Sequence, residues 1–141
     1  MTGVQTCALP ILIELNPNTA FLLTNFTTKR TLKNLFFTSN IINTDQDPDL
    51  FEISYLSEQC DVIIGKNSGP YVFCETYNNY MDKDKTFVSF NTKNPQYDSI
   101  KETMSNGLKL KCKYKTVPIM NISEKTDDDV NNIINAIKEV V

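Results

Sequence analysis

Residues 65–70, Gly65-Lys66-Asn67-Ser68-Gly69-Pro70, bring together the residue types that could hold an anion. Gly65 can take a backbone turn closed to other residues. Gly69 lets a ligand come close to the main chain. Pro70 suits the first position of a helix, where its missing N–H is no loss. The free N–H groups of the next turn, with the helix dipole, favour negative charge. Lys66 adds a point charge, and Asn67 and Ser68 add hydrogen bonds. Phosphate or diphosphate is the natural guest. The alternative is a plain strand-to-helix turn that needs glycine for geometry alone, because one glycine pair says less than a full phosphate-loop signature.

A few other positions offer weaker chemistry. Thr38, Ser39 and Asn40 end an apolar run and could meet a base or ribose; as turn formers they need no ligand. Glu52 could reach a ribose hydroxyl, although a capping role explains it. Tyr71 and Phe73 could stack on a ligand, with core packing the reading preferred for Phe73. Glu75 faces either the cleft or solvent. Cys7, Cys60, Cys74 and Cys112 form no CxxC pair, and the chain has no histidine, which argues against a zinc site or a Cys–His nucleophile. Isolated reduced thiols are the expectation. The charge run at 126–129 reads as a solvated helix start rather than a metal site.

The elements that must position these residues follow from apolar runs and turn signals. Residues 20–24 and 34–39 read as buried strands. Asp49-x-x-Glu52 is a capping-box pattern after Pro48, and opens a helix to about Gln59. Leu50, Ile53 and Leu56 form its apolar face, with Phe51 and Tyr55 at the margins. Residues 61–64 are apolar and β-branched without alternation, as in a parallel strand covered on both faces. A helix is expected from Pro70 to about Asn79, a strand over 85–90, a short helix over 97–105, and turns at Asn94-Pro95 and Asn106-Gly107. Residues 108–114 alternate apolar with lysine, the period of a half-exposed strand near a sheet edge. A last helix follows Thr126, with Val130, Ile133, Ile134, Ile137 and Val141 on one face. Strands alternating with helices define an α/β fold: a mainly parallel, Rossmann-like sheet with helices on both faces.

The chain has 141 residues, 40% of them hydrophobic and 22% charged, which suits one domain with a real core. A net charge of −3 leaves no electrostatic footprint for nucleic acid or an anionic membrane. No run approaches the ~20 apolar residues of a transmembrane helix. Residues 1–11, MTGVQTCALPI, have neither regular period nor signal-peptide character. They resemble the translation of a sequencing adapter. On that expectation 1–11 is an artefact, and 12–141 is a Rossmann-like domain cut from a longer protein.

The stretch from Leu50 to Phe73, with the strand after it, resembles the carboxy-terminal domain of GT-B glycosyltransferases, above all the heptosyltransferase-like family 9 and its bacterial relatives. Those domains carry a helix, an Asp-led strand ending in glycine, an acidic residue, Ser-Gly-Pro and a second helix. Cys60-Asp61, Gly65 and Ser68-Gly69-Pro70 match, and the resemblance covers residues 34–90. It implies one half of a GT-B fold that binds the diphosphate of a nucleotide-activated sugar. Ser68 and Gly69 would contact phosphate and Pro70 would shape the helix start. Asn67 replaces the family's acidic residue, Lys66 an expected proline, and Tyr71-Val72 stand where a histidine often follows; the loop is more cationic, and the donor stays open. The amino-terminal domain would supply the acceptor site and general base, so this chain is expected to be inactive alone, with no catalytic residue, metal or cofactor. The parent would be cytoplasmic, or peripheral at the inner membrane, in cell-surface polysaccharide biosynthesis. Other readings are a non-catalytic α/β module for a phosphorylated ligand or protein, and a GT-B-like pyruvyltransferase or sugar epimerase.

Overall fold

The computed structural model describes residues 11–24, 32–42, 49–66, 69–92, 99–119 and 127–141. The chain divides into two compact units, one formed by Met1–Asp49 with Ile122–Val141 and the other by Leu50–Asn121. The fold is α/β, with parallel strand pairs sorted into a two-stranded and a three-stranded sheet.

In the first unit, residues 11–15 are helical (α1), followed by β1 (Phe21–Leu23), β2 (Leu35–Phe37), a 3-10 turn over Thr38–Asn40, and α6 (Asp127–Lys138). β1 and β2 pair in parallel from Phe21–Leu35 to Leu23–Phe37. Ile13, Phe21 and Leu35 form a core with Leu23, Leu32 and Phe37 packed on it. Leu12 and Ile13 are each 1% exposed, so the helical turn beside residues 1–11 carries core residues. β2 ends at Phe37, short of the expected 39, because the 3-10 turn begins at Thr38. Along α6, Ile133, Ile134, Ala136 and Ile137 are buried, as its apolar period predicts. The helix ends at Lys138, which leaves Val141 exposed. Thr126 and the Val130 side chain lie outside the described residues.

The second unit contains α2 (Leu50–Ser57), β3 (Val62–Lys66), α3 (Gly69–Phe73), α4 (Tyr77–Met81), β4 (Thr86–Thr92), α5 (Ser99–Ser105) and β5 (Lys113–Ile119). The sheet order is β3-β4-β5, all parallel, so the three carboxyl ends share one edge. Phe87 and Val88, successive residues of β4, are both fully buried. Neighbouring strand residues face opposite ways, so β4 is covered on both faces. On the Phe87 side lie Ile53, Ile63, Tyr71, Cys74, Tyr80, Ile100 and Cys112. The rings of Tyr71 and Tyr80 stand 5.9 and 5.8 Å from that of Phe87.

Three expectations change here. The helix expected over 70–79 is two short ones, because Thr76 is extended and its Oγ1 accepts a hydrogen bond from the Asn79 N–H, starting a new helix at Tyr77. The strand expected over 108–114 is displaced to Lys113–Ile119. Its pairing starts where β4 starts, at Thr86, while the N–H groups of Lys111 and Cys112 donate to the Tyr80 carbonyl. β3 runs through Gly65 to Lys66 rather than stopping at Ile64. α5 ends as expected, with Gly107 at φ +90°.

Candidate functional site

The candidate loop leaves the carboxyl end of β3. Gly65 and Lys66 are its last strand residues, paired with Ser89 and Phe90 of β4. Gly69 and Pro70 open α3. Asn67 and Ser68 lie outside the described residues, as do 93–98 and 120–126, which follow β4 and β5 in the chain. Pro70 is thus in the first turn of a helix, where the loss of its N–H is harmless.

The two glycines have different reasons to be glycine. Gly65 has no positive φ, so the expected special turn is absent and the residue is ordinary strand. Its constraint is steric: a Cβ there would stand 2.8 Å from Tyr71 Cδ2 and 3.4 Å from Tyr71 Cβ and Cγ. Gly65 lets the Tyr71 ring lie against the strand and so seats α3. Around Gly69 a Cβ would meet nothing within 4 Å. That main chain borders open space, as a cradle for an incoming group requires.

Tyr71 is 5% exposed and committed to the core against Phe87, so its part is to hold α3 in place rather than to stack on a ligand. Phe73 is the more accessible ring, 39% exposed and edge-on to the largely exposed Phe51 at 5.9 Å. Lys66 is exposed at the strand end. Thr38, Ser39 and Asn40 belong to the other unit, just past the carboxyl end of β2. Thr38 is buried, with its carbonyl accepting from the N–H groups of Ile41 and Ile42, whereas Ser39 and Asn40 are exposed.

Behind α3 a buried polar cluster fixes the helices. Asn79, 1% exposed, donates from Nδ2 to Ser57 Oγ and to the Cys74 carbonyl, both at 2.8 Å. Lys85, 3% exposed, donates from Nζ to the carbonyls of Ser57 at 3.0 Å and Glu58 at 3.1 Å, a cation closing the end of α2. Glu58 in turn accepts from Thr76 Oγ1 and Asn78 Nδ2. No local pattern announces Lys85; the only sequence signal is a lysine directly ahead of an apolar strand.

Burial pushes the thiols of Cys60, Cys74 and Cys112 above their ordinary range. For Cys60, Lys85 opposes that shift and Asp61 adds to it. Protonated thiols of this kind are poor nucleophiles. Among the described residues no cluster of three or more His, Cys, Asp or Glu side chains could hold a metal, and no helix is long and apolar enough to cross a membrane. Comparison of the chain with protein-family models, with curated proteins and with solved structures finds no match.

Proposed function

We propose that this chain is the donor-binding half of a glycosyltransferase, holding the diphosphate of a nucleotide-activated sugar at the loop between β3 and α3. The observation that carries the reading is the open space at Gly69, on the carboxyl edge of a parallel sheet. Open α/β sheets bind ligands at that edge. Exposed Lys66 and the resemblance of residues 34–90 to GT-B carboxy-terminal domains support the same assignment. In this reading Gly65 and Tyr71 seat α3, Gly69 admits the phosphates, and Lys66 contributes charge. The acceptor site and general base belong to a second domain.

Calorimetric titration with uridine, guanosine and adenosine diphosphates tests the proposal. At least one should bind, and Gly69→Val, whose side chain would occupy the cradle, should abolish the heat. Lys66→Ala should weaken binding by about 1 kcal/mol, the worth of one exposed charge-assisted contact. Identical heats from wild type and Gly69→Val would exclude the loop as the diphosphate site.

A further inference from the structure

α2 carries aromatic rings on the side away from the core. Ile53 and Ser57 are buried, and at about 100° per residue Phe51 and Tyr55 stand opposite them. Phe51 is 79% exposed and Tyr55 70%. The stripe continues onto the next two helices. The exposed Phe73 of α3 meets the Phe51 ring edge-on. Beyond Tyr55, the Glu58 carboxylate accepts hydrogen bonds from Thr76 Oγ1 and Asn78 Nδ2. Those bonds bring Tyr77, the residue between the two donors, to the Glu58 end of the stripe, and Tyr77 is as exposed as Tyr55. Single exposed apolar side chains are ordinary, but a run of four aromatic ones marks an interaction surface.

The charge around these rings has one sign. Residues 49–61 and 69–82, which hold α2, α3 and α4, contain Asp49, Glu52, Glu58, Asp61, Glu75 and Asp82, and no lysine or arginine. Lys85 approaches Glu58 from the interior, sealed in on main-chain carbonyls. Thr76 and Asn78, the donors to the Glu58 carboxylate, are neutral and leave it its charge. A second copy of this face would set carboxylates against carboxylates, and a nucleic acid or an anionic membrane would be repelled for the same reason. The complementary group is a flat cation. Guanidinium stacks on aromatic rings, pairs with carboxylates through two donors at once, and sheds water more readily than an ammonium group.

We propose that the outer face of α2, with Phe73 and Tyr77, docks an arginine-bearing basic segment of a partner protein, its guanidinium groups stacked on the exposed rings and set against Glu52 and Glu58. Fluorescence anisotropy of labelled dodecapeptides on the full chain tests this. A peptide with arginine at every third position and serine between should bind at low salt and weaken about tenfold at roughly 0.3 M salt. The same peptide with lysine for arginine keeps the charge and should bind at least about threefold more weakly, because ammonium stacks less well. The double variant Phe51→Ala, Tyr55→Ala should lose at least about fivefold. Its denaturation midpoint should stay near that of the wild type, since both rings lie outside the core. Tyr77→Ala, on a different helix, should lose at least about twofold. Tyr114→Ala, whose exposed ring belongs to β5 and not to the stripe, should bind as the wild type does. No binding of the arginine peptide, equal binding of the lysine peptide, or equal affinities for the double variant and Tyr114→Ala would overturn the proposal. A dimer that forms with concentration and that the double variant abolishes would assign the face to a second copy and overturn it as well.

Discussion

In the unit of β1 and β2, the carbonyls at the end of α1 are met by Asn34; in the unit of β3 to β5, those at the end of α2 are met by Lys85. Each residue directly precedes a strand, Leu35 of β2 or Thr86 of β4. Asn34 Nδ2 donates to the carbonyls of Ile13 at 3.2 Å and of Asn16 and Thr19 at 2.9 Å. Lys85 Nζ serves Ser57 and Glu58. The problem is shared: helix ends leave carbonyls without partners. The chemistry differs with burial. Asn34 is half-exposed, so water can replace a neutral amide at small cost. Lys85 is sealed in, where carbonyls left bare have no substitute donor. The comparison shows that one topological joint can be closed by an amide near solvent or by a cation in the interior, with unequal consequences for its loss.

The sharpest test is Lys85→Met, which keeps the apolar stem and removes the ammonium. It should cost about 2–3 kcal/mol in urea denaturation, since the lost bonds are charge-assisted and buried. A loss no larger than that of Asn34→Ala would erase the distinction between the two joints. Gly65→Ala comes next, at about 1–3 kcal/mol, because the added Cβ presses on a ring held in the core. Asn34→Ala should cost about 1 kcal/mol. Gly69→Ala should change stability by less than about 0.5 kcal/mol, as the new methyl meets open space. Equal costs at Gly65 and Gly69 would mean that backbone freedom, not the Tyr71 ring, explains both.

The last effect is absent at neutral pH. Burial raises the thiols of Cys60, Cys74 and Cys112, and raises the Tyr80 phenol, with the neighbouring Glu75 contributing next. A raised folded-state pKa means that the native state holds its proton more tightly than the unfolded chain. The resulting stability is full below the unfolded values, 9.0 for thiols and 10.0 for tyrosine, and is lost as pH rises above them. Denaturation midpoints should therefore hold steady from pH 7 to 8 and fall by pH 10.5. A flat profile across that range would show these groups to be solvated in the native state.

Much of the fold was legible because its signals are local. The apolar runs mark β1 to β4, and the 3.6-residue stripe marks α6. Asn106-Gly107 marks the end of α5. Period-two lysines mark a strand near an edge, although its ends were misplaced: β5 takes its register from β4, and the Tyr80 carbonyl holds Lys111 and Cys112 outside the ladder. The break between α3 and α4 depends on a single threonine cap at Thr76, too small a signal to stand against a continuous helical pattern. At the candidate site the strand-loop-helix junction was legible, but the roles of its aromatics were not. Tyr71 and Phe73 are two residues apart on a short helix, and only the position of Phe87 decides that Tyr71 points into the core.

The sequence by itself determined the class, α/β with parallel strands, because hydrophobic period and turn chemistry act over a few residues. It also determined that residues 65–70 join a strand to a helix. Tertiary structure alone decided that the strands sort into two sheets, that Gly65 answers to Tyr71 while Gly69 borders open space, and that Lys85 lies buried at the end of a helix 28 residues away. These are contacts between segments far apart in the chain. Their energies depend on which surfaces meet, and no local pattern records that.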